Sequence, residues 1–199
     1  EMCIRDSEQS CSIAAESYSR LTLNPAIVNV TAGPGAINAI NGVFGAFVDS
    51  IPMIIVSGQA KRETLVRNSG LPNLRQLGDQ EVNIIHMVSK VTKESTLLED
   101  PELVLQVIDH AYVVANSGRK GPVWIDVPID VQAFPLPKKF EELVFQPLAY
   151  PKNNSELSIS EKDLDLISSK LMSSHKPILY VGSGIRLSKS YKDFLTFLP

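Results

Sequence analysis

Two short stretches hold side chains whose types and spacing could do chemistry. In "DSEQSCSIAAESYSRL" (6–21), Glu8 heads a helical pattern of Ile13, Ala14, Ser17, Tyr18 and Leu21. A carboxylate in that position can serve the helix dipole alone, or it can hold a proton at the edge of a site. In "VTAGPGAINAINGVFGAFVDS" (30–50), a strand runs into a glycine-bearing turn and then a helix. That arrangement often cradles phosphate. Here it departs from the dinucleotide fingerprint: Asn38 stands at the third glycine position, and Pro34 has no N–H to give an anion. The next strand ends "IVSGQ", with no acid for a ribose hydroxyl. The turn suits a flat neutral ring better. Between Gly33 and Gly35, Pro34 offers a rigid apolar surface, and Asn38 adds a donor and an acceptor. A purely structural turn is the alternative.

These residues need a frame, and the pattern supplies one. A helix is expected over 8–23, a strand over 26–31, and a helix from the turn to about Asp49. A buried strand follows at 52–58, then a long polar stretch to about Asp79 and a short helix near 80–87. Residues 89–96 alternate like a strand, 100–118 form a helix with Pro101 in its first turn and Gly118 after it, and 121–128 form another strand. Strands alternating with helices predict an α/β fold, a doubly wound parallel sheet with flanking helices. The Pro- and Asn-rich stretch 133–159 reads as a linker. The start of a second α/β domain is expected over 160–199: a helix 160–173, a strand "KPILYVG" (176–182) and a helix to 198. Gly35, Ala39, Gly42 and Ala46 make a small-residue stripe on the second helix, for close approach of either its own domain or a second subunit.

Composition narrows the class. A formal net charge of −3 gives no reason to expect nucleic acid as a partner. No apolar run reaches the length of a membrane span, so no membrane partner is expected. Cys3 and Cys11 show neither metal spacing nor CxxC, and His86, His110 and His175 form no ligand pattern, so no metal site is expected within the chain. A reducing cytoplasm is the default compartment. Residues 1–7 read as a non-native leader, which also puts Ser7 in question. Both ends look cut, and the chain reads as a fragment.

The combination "EQSCSIAAESYSRL … VTAGPGAINAINGVFGAFVDSIPMIIVSGQ … GDQE … SGRKGPVWIDVPIDVQ" resembles the pyrimidine-binding domain of thiamine-diphosphate enzymes of the acetolactate synthase group. The likeness runs over 8–132, and the stretch from Lys176 resembles the start of that family's central domain. The resemblance implies roles. Glu8 would contact the cofactor's aminopyrimidine ring and act in proton transfer, with its pKa raised in an apolar cleft. Gly33, Pro34, Gly35 and Asn38 would line the pyrimidine site. Gln80 would lie near the substrate on the thiazolium side. Departures are visible: Ser7 stands where the family usually has His, the 59–80 segment looks long, and Gly78-Asp79 replace a usual Ala-Phe.

The same resemblance implies a lyase or carboligase acting on a 2-oxo acid, with thiamine diphosphate as cofactor. Mg2+ would be held through a C-terminal domain whose Gly-Asp-Gly…Asn motif this chain does not contain. FAD occurs in some relatives and nothing here indicates it. Sites of this family lie between subunits, so at least a homodimer is implied. The alternatives are a relative with another substrate (a decarboxylase or a carbon–carbon hydrolase), a non-catalytic pyrimidine-domain subunit, and, more distantly, a nicotinamide dehydrogenase.

Overall fold

A computed structural model describes residues 6–135 and 159–198. The chain divides into two units, 1–152 and 153–199. The first is built on four parallel strands in the order β1-β2-β4-β3: β1 (Ala26–Val30), β2 (Met53–Gln59), β3 (Glu94–Leu97) and β4 (Pro122–Pro128). Helices α1 (Glu8–Thr22) and α2 (Pro34–Val48) flank β1, while α3 (Val66–Ser69) and α4 (Ile84–Val88) lie between β2 and β3. Helix α5 (Val104–Asn116) joins β3 to β4, and α6 (Ile129–Gln132) follows β4.

The connection β1–α2–β2 steps one way across the sheet, and β3–α5–β4 steps back. Right-handed crossovers therefore put α2 and α5 on opposite faces. Ile54, Val123 and Ile125 pack with Ala111 and Ala115 of α5, together with Leu98 and Val131. Ile55 and Trp124 point the other way and are fully buried. Central parallel strands covered on both faces must be apolar throughout, which is why "MII" in β2 and "PVWI" in β4 show no alternation.

The small-residue stripe on α2 faces α1 of the same domain. Gly35, Ala39, Gly42 and Ala46 are all buried. A Cβ on Gly42 would lie 2.4 Å from Ser12 Oγ and 2.5–2.6 Å from the backbone of Ser12 and Ile13. On the α1 side the approach is met by two buried serines. Ser12 Oγ donates to Gln9 O (2.9 Å), and Ser19 Oγ accepts from Ala26 N (2.8 Å), so neither leaves a polar atom unpaired.

Three expected elements differ. Residues 89–93 turn rather than extend: Val91 N and Thr92 Oγ1 both donate to Val88 O, which closes the end of α4 and delays β3 to Glu94. The short helix begins at Ile84, because Asn83 caps it through His86 N. In the second unit, α7 (Glu161–Ser173) is capped by Ser160, and α8 (Gly184–Leu187) and α9 (Tyr191–Phe197) follow. The strand expected at 176–182 is absent, and Ile178 and Tyr180 are exposed. An extended apolar segment needs a neighbouring strand to satisfy its backbone, and the described residues of this unit provide none. Most of the linker read at 133–159, and most of the leader, lie outside the described residues.

Candidate functional site

Two helix starts meet at the candidate site. Ser7 caps α1 with its hydroxyl toward Ser10 N (3.5 Å), which puts Glu8 in the first turn. Gly33 precedes α2 with φ 57° and ψ −115°, a conformation that favours glycine, and Pro34 opens the helix with its fixed φ. One turn on, Asn38 Nδ2 donates to Glu8 Oε2 at 2.9 Å. The other oxygen, Oε1, stands over Gly35, 3.2 Å from where a Cβ would sit. A side chain at Gly35 would also meet Thr31 Cγ2 at 2.5 Å, so the glycine keeps space open beside the carboxylate.

Glu8 is half-exposed, and its carboxyl is held below the usual range, first by the hydrogen bond from Asn38 and then by its own backbone N–H. This corrects the expectation of a raised pKa. Desolvation does push upward, but it is small because the described residues leave the group open to water.

Gln80 reaches the same turn from the loop after β2. It adopts a left-handed conformation (φ 54°), and its carbonyl oxygen lies 2.3 Å from where a Cβ on Gly33 would be. Contact between these two backbones therefore requires glycine at 33. The side chain of Gln80 is exposed. Glu8, Gly33, Pro34, Gly35, Asn38 and Gln80, spread over 73 positions of sequence, thus converge on one place.

The loop bearing Gln80 is organised by buried and half-buried polar groups. Glu81 Oε1 accepts from Val66 N (2.7 Å), and Oε2 accepts from Leu77 N and Gly78 N (3.2 and 3.1 Å). Gly78 is packed so closely on Ala60 that a Cβ would lie 2.5 Å from the alanine's own. Arg62 binds Asp130 through both its backbone N (3.1 Å) and Nε (2.6 Å), fixing the loop's first turn to α6.

A second constellation escaped the sequence reading. Ser57 of β2 is in register with Asp126 of β4 and donates to its Oδ1 at 2.5 Å. Trp124 Nε1 donates to Ser57 Oγ (2.8 Å), and Gln59 Nε2 donates to Asp126 Oδ2 (2.8 Å). Asp126 is 1% exposed, and burial pushes its carboxyl up to about 6, against the opposing pull of Ser57 and Gln59. The signal was available: Ser-Gly-Gln and Gly-Pro-Val-x-x-Asp-x-Pro end two strands that pair.

Three clefts line other parts of the domain, the largest about 720 Å³ between the ends of β1 and β2 and the start of α5. None of the three includes Glu8, Asn38 or Gln80; Asn38 and Gln80 are exposed and Glu8 is half-exposed, so these sit on an open lip. Among the described residues no group of three His, Cys, Asp or Glu side chains could hold a metal ion, and no helix is long and apolar enough to cross a membrane. His110 instead pairs with Glu94 at 2.9 Å.

Residues 1–87 match the family described as thiamine pyrophosphate enzyme, N-terminal TPP binding domain. The chain is 34% identical over 197 residues to acetolactate synthase 1, chloroplastic, of Nicotiana tabacum, covering 96% of this chain and 27% of that protein. It is 34% identical over 182 residues to the chloroplastic acetolactate synthase of Arabidopsis thaliana (89% and 25%). With the acetolactate synthase large subunit of Lactococcus lactis subsp. lactis (strain IL1403) it shares 28% identity over 191 residues (96% and 31%). The chain thus spans a quarter to a third of the length of these relatives. Residues 1–87, which hold β1 and β2, thus carry the likeness to the N-terminal TPP binding domain of thiamine pyrophosphate enzymes, and nearly the whole chain is similar to part of proteins named acetolactate synthase.

Proposed function

We propose that this chain is the pyrimidine-binding part of a longer thiamine-diphosphate-dependent lyase or carboligase that acts on a 2-oxo acid in the manner of acetolactate synthase. The observation that carries this reading is the Glu8–Asn38 pair at the lip of the Gly33–Gly35 turn. The fit to the cofactor is chemical. A planar aminopyrimidine presents ring nitrogens and an amino group, which match one carboxylate and one amide at the edge of a glycine-cleared surface. When bound, thiamine diphosphate supplies a carbanion at its thiazolium carbon.

The chain's own residues then have distinct tasks. Asn38 holds Glu8 Oε2 and so fixes the carboxylate plane, which leaves Oε1 to hold a proton shared with a ring nitrogen. Pro34 gives the ring an apolar surface, while Gly33 and Gly35 admit it. Gln80 bounds the substrate side. A carboxyl that shares a proton needs less water around it than Glu8 has here. Closure of the lip by a second subunit supplies that desolvation, so the assembly is at least a homodimer. Mg2+ belongs to a diphosphate-binding domain outside this chain, and the compartment is the cytoplasm.

The full-length protein, given thiamine diphosphate, Mg2+ and pyruvate, should release carbon dioxide and form a 2-hydroxy-3-oxo acid. Consumption of no 2-oxo acid across a panel would overturn the reading.

A further inference from the structure

The buried carboxylate of β4 is connected, through one side-chain amide, to the loop that carries Gln80. Gln59 Nε2 donates to Asp126 Oδ2 and also to Val82 O, both at 2.8 Å. Gln59 Oε1 accepts from Ala60 N at 2.9 Å. All the hydrogen-bonding capacity that orients this amide is therefore used. The reverse orientation would turn its oxygen onto a carboxylate and a carbonyl. Gln59 is 6% exposed, so water does not substitute for these partners.

Val82 lies two residues beyond Gln80. The other hydrogen bonds described for residues 77–83 run to Val66 or Gln76 or stay within the loop and the start of α4. Among the described residues, Gln59–Val82 is the hydrogen bond that ties this segment to the sheet. The segment in turn rests its Gln80 carbonyl on Gly33.

We propose that Asp126 and Gln59 form a positioning latch: Asp126 orients the Gln59 amide, and Gln59 holds Val82 so that Gln80 is set against the Gly33–Pro34 turn. Neither residue touches Glu8 or Asn38, and neither is a catalytic residue. The importance of the latch for turnover rests on the function proposed above. The latch itself rests only on geometry. Ser57, itself held by Trp124, completes it by donating to the far oxygen of Asp126, which stops the carboxylate from turning away from Gln59.

The test uses the full-length protein and Gln59→Met, which keeps the side chain's length and removes both donors. Amide hydrogen exchange over 77–83 should speed up at least tenfold, with β2 and β4 unchanged. The value of kcat/KM for the 2-oxo acid should fall ten- to a hundredfold, while thiamine diphosphate affinity stays within about threefold. Asp126→Asn can still turn its carbonyl to Gln59 and its amide to Ser57, so it should keep kcat/KM within about threefold of the unaltered protein. Asp126→Leu, unable to do so, should match Gln59→Met. Unchanged exchange over 77–83 in Gln59→Met overturns the latch. Faster exchange with unchanged kcat/KM overturns its positioning role. Equal losses in Asp126→Asn and Asp126→Leu refute orientation of the amide by Asp126. A protein that turns over no 2-oxo acid before any substitution counts against the proposed function instead, and the exchange measurement still decides the latch.

Discussion

Two glycines of α2, three residues apart, should respond in opposite directions to the same added methyl group. At Gly45 a Cβ would meet nothing within 4 Å. Replacing a helix-interior glycine with alanine reduces the freedom of the unfolded chain and should stabilise the domain by about 0.5–1 kcal/mol. At Gly42 the same propensity gain applies, but a Cβ there would lie 2.4–2.6 Å from Ser12 Oγ and from the backbone of Ser12 and Ile13. Those backbone atoms belong to α1 and cannot rotate away. The helix pair must separate by roughly 1 Å to restore ordinary contact, and overpacking of this kind costs about 1–3 kcal/mol. The net expectation for Gly42→Ala is therefore a loss of about 0.5–2 kcal/mol. Thermal and urea melts of both variants beside the parent read the signs directly, at about 2–4 °C per kcal/mol for a domain of this size. If Gly42→Ala stabilises as Gly45→Ala does, the close α1–α2 approach, and with it the placement of Glu8 beside Asn38, is wrong.

Three further outcomes follow from the same geometry. Asp126 binds its proton more tightly folded than unfolded, so its contribution to stability is full below about pH 4 and is lost as pH rises through about 6. That loss is about 3 kcal/mol, and the stability difference between parent and Asp126→Asn in urea melts at pH 4 and pH 7 should change by that order. Gly33→Ala adds a left-handed strain to a collision with the Gln80 carbonyl; a loss of about 1–3 kcal/mol and weaker thiamine diphosphate binding by the full-length protein are expected, and calorimetry checks the second. Lys93 Nζ donates to Val114 O and Ser117 O at the end of α5. Lys93→Met removes this donor from both carbonyls, of which Val114 O still accepts from Ser117 Oγ, and urea melts should show a loss of about 1–3 kcal/mol.

The sheet and its helices were legible because burial on both faces forces continuous apolar runs, and "MIIVSG" and "PVWIDVP" have no other use. That Glu8 and Gly33 stand at helix starts was legible because such starts announce themselves through serine, glycine and proline. What stayed hidden was of two kinds. Local side-chain bonds moved boundaries: Thr92 bonding back to Val88 turned part of an expected strand into a helix exit. Pairings across the sheet were also hidden, because nothing in Ser57 or Asp126 alone says that they face each other. The pKa of Glu8 in this chain runs against the sequence expectation for a related reason. Sequence names the group and not its cover, and in this chain Asn38 outweighs the little desolvation there is. The small residues of the α2 stripe imply a close-approach surface by themselves, but only the fold shows that α1 is what approaches.

The central claim is that Glu8 holds a proton for the cofactor's ring rather than merely opening a helix. Exchange of the thiazolium C2 proton, followed by NMR in deuterated buffer, tests it most directly. In the full-length protein, Glu8→Gln keeps the side chain's size and a carbonyl for Asn38 and removes the ionisable proton. The account predicts exchange slower by about a hundredfold to ten-thousandfold, with a melting temperature close to the parent's. An unchanged exchange rate together with a lowered melting temperature would contradict it and return Glu8 to the role of a helix-opening charge.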